Sequence, residues 1–584
     1  MPHRFHIPVM GTCFTTDTPL RVAHLGIDSA ISLVDDKLLE RIGSYYAEKF
    51  ALPYEKVLPS ADHARAERIR RYLNLVNVLV EKKFERTKAS PFTGNSDKDR
   101  YFLLLPTEDP LRVRYLRMMN LAKNERLAEE AALTDEMRPG AVDVNIMVKL
   151  DRPEFDDAKE ALRGYAESDL RGNTGVILSA GINQALFSTM EKFPCFYRNA
   201  NGGFDKKIKL KISDFRSALI QGKFLSRKGL EVSEYRIESG LNCGGHLFPS
   251  DGELLPSILA DFNKKRESLC SQFHGAVEKY YGDHGFDTSR LKAFAPKFTV
   301  QGGIGNFGES ERFLKTYGMD GCGWGSPFLL VPEATLVDDS TRKLLAEAGP
   351  AEIRISGASP LGVPFSNLDT CAAERIRREN IRKGIPGAPC VKGFLQNNTE
   401  FSERSICTAS REYQIRKLRQ IETLHASDDE KSRLKNSVLE KTCICHQLGN
   451  SALVALGLES EKDAPPSICP GPNIAYFDRN YSLEEMVDFI YGRKTPDNAD
   501  ARPHVFALEI LLYAKWFQNE RERSKGIPEE RMKLATIARN LKAGMEKTLE
   551  MADGKAFPGE NLESVREAVS KAMPLIEDFL KEAR

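Results

Sequence analysis

The chain has almost no net charge. Its 84 Lys+Arg stand against 83 Asp+Glu over 584 residues, a formal +1, and so even a balance leaves no basic footprint for a nucleic-acid backbone. Short basic runs such as Lys206-Lys207 read as solvated faces. Long apolar runs are missing too: nowhere are there the roughly 18 apolar residues of a membrane span. The opening "MPHRFHIPVMG" has no charged segment followed by an apolar one, as a secretory leader requires. These absences predict a cytoplasmic protein that acts on a small or carrier-bound molecule, without nucleic acid or membrane span. Cysteine is too sparse for a disulfide framework, since the eleven are odd in number and spread over a long chain, which points to metal or redox chemistry instead. No Gly-x-Gly-x-x-Gly follows a predicted strand, so a protein electron donor or acceptor is expected rather than a nicotinamide. Internal repeats and low-complexity tracts are absent.

What is present is an alternation of strand-length apolar runs with helical patterns, the signal of a parallel sheet covered on both faces. Eight runs are counted: Phe5 to Gly11, Ile27 to Val34, Ala141 to Leu150, Gly175 to Ile182, Ile208 to Ser213, Val232 to Ser239, Lys297 to Ile304 and Asp320 to Val331. Eight strands with crossover helices predict an α/β fold, a (β/α)8 TIM barrel with its site at the strands' C-terminal ends. The expected organisation is a barrel over 1–355 with a helical insertion at 35–140, a loop-rich, cysteine-rich segment over 356–477 and a helical region over 478–584. Within the insertion, "ERTKASPFTGNSDKDR" reads as an exposed loop suited to a lid or to an oligomer contact, and a homo-oligomer is expected.

Glycine clusters fall at three successive strand ends. "ESGLNCGGHLFPS" (Glu238 to Ser250) closes the sixth run, "VQGGIG" (Val300 to Gly305) the seventh and "GCGWGSPF" (Gly321 to Phe328) the eighth. Glycine lets a phosphate approach the backbone, and the loops after strands 7 and 8 often form the phosphate site of such barrels. Gly244-Gly245-His246, Gly302-Gly303-Ile304 and Gly325-Ser326-Pro327-Phe328 with Pro332-Glu333, together with the early "IPVMG" and Asn145 of "VDVNIM", resemble the FMN-dependent barrels of the nitronate monooxygenases and flavin-type enoyl-acyl-carrier-protein reductases. The resemblance spans about residues 5 to 335. It implies FMN held by Met10, Gly11, Asn145, Gly244, Gly245, Gly303, Ile304, Gly325 and Ser326, with His246 as the proton-handling catalytic residue; Lys211 joins the cofactor-binding set from its place on the fifth run. Two features depart from it. "SGLNC" separates Glu238 from Gly244, and Trp324 stands where a smaller residue is common. Imidazole near its ordinary pKa of ~6.5 both takes and gives protons at neutral pH; the alternative for His246 is a ring satisfied by local backbone. Lys211 shares a face with Lys207, Lys209 and Ser213 and either supplies a cation to the flavin or caps the sheet. Cys243 reads as a small buried residue.

A second constellation is Cys390, Cys407, Cys443, Cys445 and Cys469, the last followed by Pro470. Zinc ribbons use two Cys-x2-Cys pairs, which are absent, whereas iron-sulfur clusters accept scattered thiolates and often a Cys-Pro. The expectation is a 4Fe-4S cluster on Cys390, Cys407, Cys469 and one of Cys443 and Cys445, with zinc or buried structural cysteines as alternatives. A flavin splits electron pairs and a nearby cluster passes single electrons on, and some members of the resembled family, including a bifunctional acyl-carrier dehydrogenase and isomerase of bacterial fatty-acid synthesis, combine FMN with a 4Fe-4S centre. The resemblance therefore implies an oxidoreductase, a dehydrogenase, reductase or isomerase, acting on an acyl or other small organic substrate. Alternatives are a nitronate-monooxygenase-like flavin enzyme with zinc or no metal, and a non-catalytic subunit of a larger assembly.

Overall fold

The computed structural model describes residues 2–148, 156–179, 181, 183–199, 201–249, 251–286, 288, 291 and 294–583. Eleven strands occur among them: β1 Phe5–Ile7, β2 Asp28–Ser32, β3 Val142–Ile146, β4 Gly175–Leu178, β5 Lys207–Ile212, β6 Val232–Glu238, β7 Gly245–His246, β8 Lys297–Gln301, β9 Gly321–Gly323, β10 Ile353–Ser356 and β11 Phe365–Leu368. Eight of them close a parallel barrel in the order β1-β2-β3-β4-β5-β6-β8-β9, with β9 pairing back onto β1. The chain is a (β/α)8 TIM barrel. Each of the eight predicted runs contains one barrel strand, but the strands are shorter than the runs. Lys149, Leu150, Ala180 and Ile182, predicted within the third and fourth runs, lie outside the described residues, as does Ser250. The last run keeps only Gly321–Gly323 as strand and turns at Gly325 into a 3-10 helix, Ser326–Leu330, because Pro327 has no N–H to continue a ladder.

The barrel interior is charged at the level of β3, β5 and β6. Lys209 Nζ lies 2.7 Å from Asp143 Oδ2 and 2.9 Å from Glu234 Oε2, and Arg236 lies 2.8 Å from Asp143 and 2.7 Å from Glu234. Mutual pairing is what makes such burial tolerable. It also takes Lys209 out of contention for a ligand and leaves Lys211, two residues on, at the mouth.

Three expectations are corrected. Gly244-Gly245-His246 does not close β6. Gly245–His246 instead forms β7, which pairs antiparallel with β11 and so joins a small sheet ordered β10-β11-β7; the additional residues "SGLNC" let the chain leave the barrel before pairing. The stretch 356–477 is loop-rich, with more than half of its residues outside helices and strands, and between its loops lie β11 and helices Ala372–Arg382, Arg411–Glu422, Asp428–Leu439 and Ile444–Ala455. Its Cys371, Leu395, Cys407 and Leu448 share one continuous core with the barrel's Phe5, Val144 and Leu210. Second, Glu85 to Arg100 is a loop only over 90–96: it ends helix Ala64–Ala89 and begins helix Asp97–Leu104, where Ser96 and Asp99 form a capping box. The neighbouring Tyr101 hydroxyl donates to Arg138 O at 3.1 Å, and its ring packs beside Gly26. Both partners precede strands, so this segment sits at the end of the barrel opposite the mouth and cannot be a lid. Third, Lys206 is buried rather than solvated. Its ammonium donates to Ala166 O at 3.0 Å and Ser168 O at 2.9 Å, closing the carbonyl end of helix Asp157–Ala166.

The last helices, Val505–Arg523, Pro528–Ala552 and Leu562–Glu582, form a second core with Leu241, Leu247 and Leu254 from the loop after β6. Among the described residues no helix is long and apolar enough to cross a membrane.

Candidate functional site

At the C-terminal ends of the strands the backbone turns sharply through positions with positive φ: Gly11 (52°), Gly245 (70°), Gly302 (111°) and Gly303 (80°). These turns surround a cavity with two lobes. The first, about 640 Å³ of space including its open side, is lined by Met10, Gly303, Ile304, Gly325 and Ser326. The second, about 1040 Å³ on the same measure, is lined by Asn145, Gly245, His246 and an apolar wall of Phe248, Phe365, Phe394, Leu395 and Leu448. Gly11, Lys211, Glu238, Cys243, Gly244 and Cys469 line both. The cavity thus brings together the ten residues predicted to hold cofactor and the predicted catalytic histidine.

The polar groups of the two lobes differ. In the first, the N–H groups of Gly303 and Ile304 have no acceptor among the described residues, and the hydroxyl of Ser326 accepts from Gly471 N–H at 2.7 Å. At the junction Lys211 Nζ lies 2.7 Å from Glu238 Oε1, which also accepts from Gln301 Nε2 at 2.7 Å. Cys243 shares a hydrogen bond with Glu238, and burial holds its thiol well above the usual range. In the second lobe the buried Oδ1 of Asn145 has no hydrogen-bond partner among the described residues, and a buried acceptor left unpaired is costly. The His246 ring places Nε2 2.8 Å from the buried Ser359 Oγ and stands edge-on to Phe365, with centroids 5.1 Å apart.

The five predicted cysteine ligands do not come together. Cys407 hydrogen-bonds Cys390, which with burial raises its thiol far above the ordinary value, and Cys443 and Cys445 lie within electrostatic reach of Cys390. The Cys469 sulfur lies beside Gly11 and Gly245 in the cavity, whose second lobe Cys445 also lines, and burial pushes its thiol up to about 12. Among the described residues no group of three or more His, Cys, Asp or Glu side chains is placed to hold a metal ion, so the cluster as predicted does not fit.

Residues beyond the barrel complete the site, and the sequence offered no signal for them. Glu509, on helix Val505–Arg523, accepts from Ser239 Oγ at 2.6 Å and from Leu255 N–H at 2.8 Å, so one carboxylate ties both ends of the loop that carries Gly244, Gly245 and His246. Burial raises this carboxyl from 4.5 to about 7. A raised value means that Glu509 contributes its stability in full below about pH 4.5 and loses it as the pH rises through about 7. Glu509→Gln is expected to flatten the pH dependence of unfolding over that interval, which is worth roughly 3 kcal/mol at about 1.4 kcal/mol per unit. Urea unfolding from pH 4.5 to 8 measures it; identical slopes in the two proteins would exclude this role for Glu509.

The fold and cavity define a TIM barrel whose mouth presents a glycine turn with two N–H groups unpaired among the described residues, beside an apolar chamber. Solved structures to which the chain is similar include the enoyl reductase domain of MlnA from the macrolactin biosynthesis cluster of Bacillus amyloliquefaciens, at 14% identity and a TM-score of 0.36 over 64% of this chain and 86% of that one. Another is a nitroalkane oxidase from Streptomyces ansochromogenes, at 11% identity and a TM-score of 0.36 over 84% of this chain and 95% of that one. Likenesses this slight assign no activity. No protein-family profile matches the chain, and no curated protein matches it in sequence.

Proposed function

We propose that the chain is an FMN-dependent oxidoreductase acting on an acyl or other small organic substrate. The observation behind this reading is the pairing of two unsatisfied N–H groups at the Gly303 turn with the unpartnered Asn145 Oδ1 across one continuous cavity. A phosphate suits the first and an imide N–H the second. FMN, when bound, supplies hydride exchange at its N5 position. Ser326, Gly325, Gly303 and Ile304 of the first lobe would hold the phosphate, and a flat ring would lie at the junction lined by Gly11, Lys211 and Gly244. Lys211, held by Glu238, would place its ammonium beside that ring. His246 gives or takes the proton, with Ser359 holding its ring in place. Phe248, Phe365, Phe394 and Leu395 exclude water and receive the apolar part of the substrate.

Purified protein is expected to yield FMN rather than FAD on extraction, since among the described residues the first lobe is lined by one glycine turn with unpaired N–H groups. Flavin-free wild-type protein that binds no added FMN overturns the proposal.

A further inference from the structure

The turn after β8 is fastened from outside the barrel. Arg502, 3% exposed, donates through Nη2 to Gly303 O at 2.5 Å, through Nη1 to Glu309 Oε1 at 2.6 Å and through Nε to Asn473 Oδ1 at 2.6 Å. Asn473 Nδ2 in turn donates to Ile304 O at 2.8 Å. Glu309 accepts from Gly305 N–H at 2.9 Å and Val505 N–H at 2.7 Å. Every carbonyl of the Gly303-Ile304 pair is therefore held by a residue of the C-terminal extension.

Peptide planarity turns this into a directional constraint. In a trans peptide the C=O of one residue and the N–H of the next point in opposite directions. Pinning Gly303 O to Arg502, which does not line the cavity, forces Ile304 N–H the other way. Ile304 does line it. A glycine at φ 80° would otherwise rotate that peptide freely. The same extension reaches the second wall of the lobe, where Gly471 N–H donates to Ser326 Oγ.

We infer that Arg502 and Asn473 form a clamp that sets the affinity of the first lobe for a phosphate monoester, so that the C-terminal extension, and not the barrel alone, determines how tightly the phosphate end of the cofactor is held. This rests on the flavin reading above. Arg502 is a positioning residue: it acts through the Gly303 peptide and lies outside the cavity lining.

FMN and riboflavin differ only in the phosphate, and titrating each into flavin-free full-length chain isolates that end of the site. Arg502→Gln is expected to weaken FMN about thirtyfold, the weight of one or two charge-assisted hydrogen bonds, and riboflavin by less than about threefold. Arg502→Lys, which keeps the charge but not the three-way fork, is expected to fall between, and Asn473→Ala to repeat the pattern more weakly if Arg502→Gln does not fold. Equal losses for FMN and riboflavin, or unchanged FMN affinity in whichever of these variants folds, overturn the clamp while leaving the flavin reading intact. Wild-type protein that binds neither compound overturns the flavin reading itself.

Discussion

Gly303→Ala is expected to leave less than about a tenth of the chains with bound FMN. Two effects add at this position. The residue sits at φ 80°, where a side chain costs about 1–2 kcal/mol, and a Cβ there would overlap the side-chain amide of Asn242. Asn242 cannot simply swing away, because its Nδ2 donates to Val505 O at 3.0 Å and the residue is buried. The turn must therefore shift, taking the Gly303 and Ile304 N–H groups with it. Gly202→Ala is the control: it has φ 75° with nothing among the described residues within 4 Å of its Cβ, so it should lose only the backbone part of that stability and keep its flavin. Flavin-to-protein absorbance ratios after gel filtration measure both. A Gly303→Ala protein with full flavin content would remove the glycine turn from the site.

His246→Gln is expected to retain FMN while slowing the proton-coupled half-reaction by about a hundredfold or more, the usual weight of a general acid or base. Glutamine keeps a polar group near Ser359 Oγ, 2.8 Å from the native ring, and so preserves the junction of β7 and β11. Ser359→Ala should slow the same step less, by about tenfold or under, since it loosens the ring without removing the proton carrier. Stopped-flow reduction and reoxidation of the flavin separate these cases. An unchanged rate in His246→Gln would make the ring a structural contact of the small sheet. Its edge-on packing against Phe365 is the basis for that second role.

The barrel was legible in the sequence because its strands are buried on both faces and so appear as short continuous apolar runs. The strand ends were legible because close approach of backbone to a ligand demands glycine, and Gly302 and Gly303 do adopt positive φ. The lid reading failed for a different reason: Glu85 to Arg100 is polar whether it is a loop or the exposed side of two helix ends, and only its packing against Gly26 and Arg138 places it at the far end of the barrel. Lys206 failed similarly, since a lysine in a basic run is usually solvated, and only the fold brings helix carbonyls to its ammonium.

By itself the sequence determined what depends on neighbours along the chain: eight strands, their parallel barrel and the glycine turns at their ends. The tertiary structure decided what depends on residues far apart. It moved Gly245 and His246 from β6 into a sheet with β11, left the five cysteines without a common metal site among the described residues and brought Arg502, Asn473 and Glu509 to a mouth some two hundred residues earlier in the chain. The physical reason is that periodicity and turn chemistry are local, whereas hydrogen bonds between a barrel and its extension are specified by docked surfaces whose pairing leaves no spacing to read.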